Sequence, residues 1–312
     1  MLFSGVYELW TDPLVVSCLD GAEMTSALRI PGSADILVHP AWMQTYRTLP
    51  RLMRDRARAG RFGKRLHFMC CSDESNQLLR RLRFPGGLVS ISSYLNEHRY
   101  HITGAPKQYD AVYAARMIPY KRLHLASKVS SLFVQTYGEC RTADGAYDLH
   151  RYEPSLKHCD FNKTWLPQEE LVSIYNRARV GLALSACEGA MLASVEYMLC
   201  GLPLVSTRSR GGREQFFDER YVGVVDATAD AVETCVRAMI ARQVDPELVR
   251  AATIEKMRPH RERLCDYVIQ IIRNRGGTPP TRGAMLERIF GTEQGARGCF
   301  VHLRDFTARG FA

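Results

Sequence analysis

Glu188 and Glu196 stand eight residues apart in the stretch Val180–Arg213, VGLALSACEGAMLASVEYMLCGLPLVSTRSRGGR. On a helix that spacing separates two carboxylates by about 12 Å along the axis and roughly 80° around it. A carboxylate pair that cleaves a glycosidic bond sits ~5–9.5 Å apart, so this pair is too far apart for that work. It suits an extended ligand whose phosphate lies between two polyhydroxyl rings, the shape of a nucleotide-sugar. Glu188 lies at the mouth, where a carboxylate accepts hydrogen bonds from sugar hydroxyls. The small residues Ala190, Ala193 and Ser194 then open a helix whose N–H groups and positive dipole end make an anion site. Two cations join them. Arg116 ends an apolar run, Pro119 turns the chain, and Lys121 heads the next segment. At the carboxyl edge of a sheet, an arginine and a lysine stabilise a diphosphate as its bond to a sugar breaks, without a metal.

The elements that must position these groups follow from hydrophobic periodicity. Expected strands are Asp35–His39, His67–Cys71, Leu88–Ile91, Ala111–Arg116, Ser131–Tyr137, Val180–Ser185, Leu202–Ser206 and Val222–Val225. Expected helices start at Pro40, at Asp73–Ser75 and at Lys121 (to Val129), then cover Gln168–Arg177, Ala190–Cys200 and Ala227–Arg242. A long helical pattern, Asp245–Arg273, should be kinked or divided by Pro259. The tail carries an amphipathic piece with Met285, Leu286, Ile289 and Phe290. Strand and helix alternating with short links predict an α/β protein with doubly wound parallel sheets, ligands binding at the strands' carboxyl ends. With 312 residues the chain exceeds a single core, and Ile102–Asp110, with Gly104 and Pro106, reads as the linker. The expected division is residues 1–105 (a short acceptor-side domain), 106–275 (donor-binding) and 276–312 (a tail packing on the first).

From Tyr109 to Arg242 the chain resembles the GT-B retaining glycosyltransferases of family 4, the "glycosyl transferases group 1" domain. Glu188 and Glu196 match that family's E-x7-E motif, Arg116 and Lys121 its arginine-x4-lysine pair, and Gly201–Val205 its G-L-P-L-V strand. The resemblance implies two Rossmann-like domains, the N-terminal one reduced here, and transfer of a hexose-like sugar from a nucleoside diphosphate to a hydroxyl acceptor with retention. It implies that Glu188 contacts the donor sugar and Glu196 the ribose. Arg116 and Lys121 would grip the diphosphate with help from the backbone around Gly189, Met191 and Leu192. It implies front-face substitution with no side-chain nucleophile, no metal and no cofactor besides the donor. The sequence departs from the family in two places: Met191 stands where a glycine is usual, and Gln215 where a glutamate follows Gly211-Gly212. The reduced first domain keeps open a second reading, a catalytically inactive sugar-nucleotide-binding or scaffold protein of the same fold.

Other classes are disfavoured. No G-x-G-x-x-G occurs, and Gly60–Lys64 lacks the spacing of a phosphate loop. None of the ten cysteines forms C-x-x-C, so all are expected to be reduced and structural. The longest apolar runs are too short to span a bilayer, and the first twenty residues do not read as a secretory leader, so a cytoplasmic protein is expected. Of 42 basic residues only seven are lysine, and the net charge is +9, which favours an anionic partner. Arg47–Arg65 concentrates eight basic residues against Asp55. That stretch reads as a solvated helix face or as a peripheral contact with acidic lipid, consistent with a carbohydrate or lipid-linked acceptor. With no recognised module beside it, no nucleic-acid partner is expected. His39, at a strand end, is a further candidate to face the acceptor.

Overall fold

The computed structural model describes residues 5–19, 21–40, 42–292 and 295–302. Two compact units divide the chain: Met1–His98 with Met257–Ala312, and Arg99–Lys256. These limits differ from the expected 1–105, 106–275 and 276–312. The stretch read as a linker belongs to the second unit because its backbone and side chains are tied there. Thr103 N–H donates to Asn176 Oδ1 (2.8 Å), Lys107 Nζ to Asn176 O (2.8 Å) and Gln108 N–H to Arg177 O (2.7 Å).

The first unit is built on a six-stranded sheet. A hairpin, β1 (Gly5–Thr11) and β2 (Leu14–Leu19), is antiparallel, and β3 (Ala34–His39), β4 (Lys64–Cys70) and β5 (Gly86–Leu88) follow β2 in parallel. Alternate side chains serve opposite faces: Val16, Ile36 and Phe68 join one core, while Val15, Leu37 and Met69 join the other. A strand buried on both faces reads as a continuous apolar run, as these do. Helices α1 (Ala22–Ala27), α2 (Leu49–Arg61) and α3 (Asp73–Arg81) belong to this unit. Helix α2 starts nine residues after the expected Pro40, with Pro50 in its first turn, where the missing N–H costs nothing. The cap of α3 is Ser72, whose hydroxyl accepts from Ser75 N–H (3.3 Å). Gly86 and Gly87 open β5.

The second unit carries a fully parallel six-stranded sheet. Its strands are β6 (Tyr109–Arg116), β7 (Leu132–Tyr137), β8 (Asp160–Phe161), β9 (Ala178–Ala183), β11 (Leu204–Thr207) and β13 (Val222–Val225). The spatial order is β13-β11-β9-β6-β7-β8. Successive strands run outward from β6 one way and from β9 the other, so the order reverses between β6 and β9. A small parallel pair, β10 (Cys187–Glu188) and β12 (Arg210–Gly211), stands beyond the ends of β9 and β11. The helices are α4 (Leu149–Tyr152), α5 (Gln168–Arg177), α6 (Leu192–Leu199) and α7 (Ala229–Arg242), the last capped by Thr228. Gly181 in β9 lets α6 lie close: a Cβ there would meet the Tyr197 ring at 2.4 Å. The segment Lys121–Val129, expected as a helix, is two 3₁₀ turns, Pro119–Lys121 and Leu123–Ala126, broken at Arg122 in the left-handed region (φ 52°).

Helix α8 (Pro246–Asn274) holds Pro259 within it and is not divided there. Proline removes one backbone hydrogen bond, but burial of Val249, Met257, Leu264, Val268 and Ile272 along the helix outweighs that loss. Helix α9 (Arg282–Phe290) buries Met285 and Ile289 in the first unit's core, and β14 (Phe300–His302) pairs antiparallel with β1. His39 is fully buried, with Nε2 3.1 Å from Ser17 Oγ and 3.3 Å from Tyr94 Oη. Burial pushes its pKa down to about 3, so it packs as a neutral ring. All ten cysteines are free.

Candidate active site

In an open parallel sheet the crevice for a ligand lies where the strand order reverses, outside the carboxyl ends. Here that place is the end of β6 beside the end of β9, and Arg116 and the Ser185–Glu188 turn emerge there. Ala186 N–H donates to Tyr120 O (2.9 Å), which stitches the two loops together.

Lys121 and Glu188 are brought into contact: the lysine Nζ donates to Glu188 Oε1. Only 8% of Lys121 and 7% of Glu188 is exposed, so this ion pair is little screened by solvent. The Lys121 backbone is fixed separately, because the Tyr113 hydroxyl donates to its carbonyl. Glu188 is held by its strand β10. Gly211 of β12 has φ 126°, and a Cβ there would sit 1.7 Å from Glu188 O, so the pairing admits only glycine. Gly212 N–H donates to Gly189 O (3.1 Å), which closes the turn.

Helix α6 begins at Leu192, two residues later than expected, with buried Met191 as its N-cap and no side chain capping it. Ser194 turns inward, its hydroxyl donating to Met191 O (2.7 Å). Glu196 stands on the same helix in a different setting. The Tyr100 hydroxyl donates to its Oε1 and the Tyr175 hydroxyl to its Oε2, both at 2.9 Å. Burial raises the Glu196 pKa above the ordinary 4.5, and the two phenols act against that rise. Arg116 stays outside this cluster. Its guanidinium is exposed and lies 3.5 Å from the exposed Glu139 carboxylate, a contact of little energetic weight.

The side chains that sequence reasoning missed share one trait. Arg213, on the 3₁₀ turn Arg213–Phe216, is 1% exposed and donates to Ser185 O (3.3 Å), Ser206 Oγ (3.0 Å) and Thr207 O (2.5 Å). Burial pulls its pKa down, while the charge of Glu188 pulls it up. Tyr100 and Tyr175 are distant in sequence from Glu196. Tyr137, at the end of β7, lies in the electrostatic field of Glu188, Arg116 and Glu196, with its ring centroid 6.5 Å from that of exposed Trp165. A charged or aromatic residue gives no sign in one sequence that it will be drawn into a site. For Arg213 the only signal was its place directly after Gly211-Gly212. Among the described residues, no group of three or more His, Cys, Asp or Glu side chains is placed to hold a metal.

Residues 136–270 match the family profile described as "Glycosyl transferase-like". No curated protein sequence matches the chain. Several solved structures share its fold. Sucrose-phosphate synthase from Thermosynechococcus elongatus is 16% identical over 83% of this chain and 73% of that one, with a TM-score of 0.59. Anabaena HepE in complex with UDP is 12% identical over 76% and 72%, TM-score 0.56. A mutant of S. aureus TarM, in complex with Fondaparinux, alpha-GlcNAc-glycerol and UDP, is 13% identical over 75% and 50%, TM-score 0.55. At these identities the likeness establishes the fold.

Proposed function

Because residues 136–270 match a glycosyl transferase-like profile and the chain shares the fold of sucrose-phosphate synthase, we propose that it is a group 1 glycosyltransferase that moves a hexose-like sugar from a nucleoside diphosphate to a hydroxyl acceptor. The observation that carries this reading is the buried Lys121–Glu188 pair, at the point where the strand order reverses and beside the uncapped start of α6. An anionic diphosphate fits there. Arg116 reaches it from solvent, Lys121 from within, and the amides around Gly189, Met191 and Leu192 donate from the helix end. Glu188 faces the sugar. Glu196 takes the ribose, for which it has room. A carboxylate offers about four lone-pair sites, and the two phenols use one on each oxygen.

The reaction needs no side-chain nucleophile. The bond from the anomeric carbon to the departing phosphate breaks while the bond to the acceptor oxygen forms on the same face, and the acceptor's proton passes to the departing phosphate. Retention follows. Arg116 and Lys121 stabilise the charge that grows on the leaving group, so no metal is required. HepE in complex with UDP and TarM in complex with UDP and alpha-GlcNAc-glycerol support a nucleotide donor and a carbohydrate or polyol acceptor for this chain.

An acceptor held at a membrane fits the surface of α2. Arg51, Arg54, Arg58 and Arg61 follow helical one-face spacing, and Trp42, Tyr46, Met53 and Phe62 are exposed around them. No helix among the described residues is long and apolar enough to cross a bilayer. Flotation with anionic vesicles, absent with zwitterionic ones, is the expected result; no flotation with either removes the membrane from the proposal.

The test of the donor site is a thermal-shift panel with UDP, GDP, ADP and dTDP in a chelating buffer, on wild type and Arg116→Ala. Ligand at ~100 times its dissociation constant stabilises by about 2.7 kcal/mol, a shift of several degrees. One nucleotide should shift the wild type and fail to shift the variant, whose turnover should fall by about 10²-fold or more. A panel with no shift overturns the donor-site reading.

A further inference from the structure

Among the fully buried side chains, Arg213 is the largest, and none of its hydrogen-bond acceptors is charged. Two are backbone carbonyls and one is a serine hydroxyl, while its Nε–H has no partner among the described residues. Its guanidinium is held by the carbonyls of Thr207, the last residue of β11, and of Ser185, two residues past the end of β9 and three before Glu188. The charged and titratable groups in its field are Glu188, Tyr113, Glu214 and Arg122. Glu214 is exposed to water, and Arg122 adds positive charge. Glu188 is the buried anion of the group, and Lys121 already pairs with it.

The count is then two cations, Lys121 and Arg213, to one anion, Glu188, with each residue less than a tenth exposed. Ordinary buried arginines meet a carboxylate, because removing a charge from water without a counter-charge is expensive. Here the surplus positive charge is left beside the Ser185–Glu188 turn. Resting on the donor-site reading above, we infer that Arg213 is a positioning residue and fixed counter-charge. It braces the Ser185–Glu188 turn from below and remains as the cation facing Glu188 when Lys121 turns to a bound diphosphate. Without it, Lys121 has to serve Glu188 and the phosphates at once. With it, the buried trio carries one net positive charge that an incoming diphosphate neutralises. Arg213 touches no ligand in this account; its effect reaches the ligand through the turn and the field.

The experiment compares wild type, Arg213→Lys and Arg213→Gln in chelating buffer by calorimetric titration. The probes are the nucleoside diphosphate selected by the panel above, the corresponding free nucleoside, and inorganic pyrophosphate. Arg213→Gln should weaken the diphosphate and pyrophosphate at least tenfold and the nucleoside less than threefold. Arg213→Lys keeps the charge and loses most of the bracing, and should hold diphosphate affinity within about threefold of wild type even where its Tm drops. Equal losses for nucleoside and diphosphate, or an Arg213→Lys protein as impaired as Arg213→Gln, would make Arg213 a structural staple and overturn the inference. So would Arg213→Gln binding diphosphate like wild type. If Arg213→Gln does not fold, the Arg213→Lys protein decides by the ratio of its diphosphate loss to its nucleoside loss: a diphosphate held as well as the nucleoside supports the inference only where both stay near wild type. A wild type that binds no diphosphate refutes the donor-site reading itself and takes this inference with it.

Discussion

Ahead of α6, Glu188 meets an ammonium, with a buried guanidinium in the same field; within the helix, Glu196 meets two phenols. The residues are of one type, belong to one motif and stand eight positions apart, yet their partners differ in kind. An ion pair supplies a charge of opposite sign, and it loses that compensation whenever its partner is needed elsewhere. Two phenols supply hydrogen bonds without charge, so the carboxylate keeps lone pairs for another donor, at the cost of a harder ionisation. The first arrangement suits a place where negative charge arrives and departs with each turnover. The second suits a place that must grip two neutral hydroxyls. The contrast between the two carboxylates is the one the proposed donor site requires, with phosphates and sugar at Glu188 and ribose at Glu196.

The largest effect should come from breaking the charged end. Lys121→Met leaves Glu188 buried without its contacting cation, and breaking a buried pair from one side costs roughly 3–5 kcal/mol. Urea unfolding of the variant should show a loss of that order. Adding Glu188→Gln to Lys121→Met removes the unpaired carboxylate and should restore part of the loss, with the buried Arg213 guanidinium then left without an anion. A Lys121→Met protein as stable as wild type would mean that Arg213 or solvent compensates Glu188 without the lysine, and the contrast with Glu196 would lapse.

At the phenol end the effect should depend on pH. Burial raises the Glu196 pKa above 4.5, so between 4.5 and the raised value the folded protein holds a proton that the unfolded chain has released. Stability from this residue is therefore fullest below 4.5, declines as pH rises through the raised value, and is level above it. Nucleotide affinity should run the opposite way. Ribose hydroxyls need an ionised acceptor, so affinity climbs over the same window. Glu196→Gln should bind nucleotide about tenfold more weakly at neutral pH, the scale of one hydrogen bond to a charged group. Its affinity should no longer vary with pH in that window. Equal affinity and an unchanged pH profile would remove Glu196 from the ribose site.

Both carboxylates were visible in the sequence, and so was the sheet that presents them. The apolar runs behind β6, β9 and β11 are bounded by turn residues, and Gln168–Arg177 and Val222–Val225 have in the fold the limits that their periodicity predicts. What stayed hidden was mostly non-local. Tyr100 lies 96 positions before Glu196, and nothing in its neighbours points to that contact. Arg213 reads as a surface cation, because arginine is seldom buried; only the backbone oxygens at the ends of two strands make its burial tolerable. The hairpin β1–β2 went unread because polar residues interrupt its alternation, although β2 is buried along most of its length once β3 pairs with it. Arg122 in the left-handed region breaks the segment Lys121–Val129 expected as a helix, and a sequence pattern carries no information about a single residue's φ.

The smallest effect, and the finest test of the contrast, is at Tyr175. Its ring is buried edge-on against Tyr197, with centroids 4.9 Å apart, and its hydroxyl donates to Glu196 Oε2. Tyr175→Phe keeps the ring and removes that donor, so packing is preserved while one oxygen of Glu196 loses its bond. At pH 7 the variant should be less stable by about 1–1.5 kcal/mol, the ordinary net worth of such a bond. The two phenols work against the burial that raises the Glu196 pKa, so removing one should raise it further. The pH window over which nucleotide affinity climbs should move upward accordingly. Lowering the pH until Glu196 is protonated should then shrink the stability difference between variant and wild type, since a neutral carboxyl holds the phenol less strongly than a carboxylate. A difference that stays constant from pH 7 down to pH 4 would mean that Tyr175 contributes by packing alone, and that the phenols do not govern the charge of Glu196.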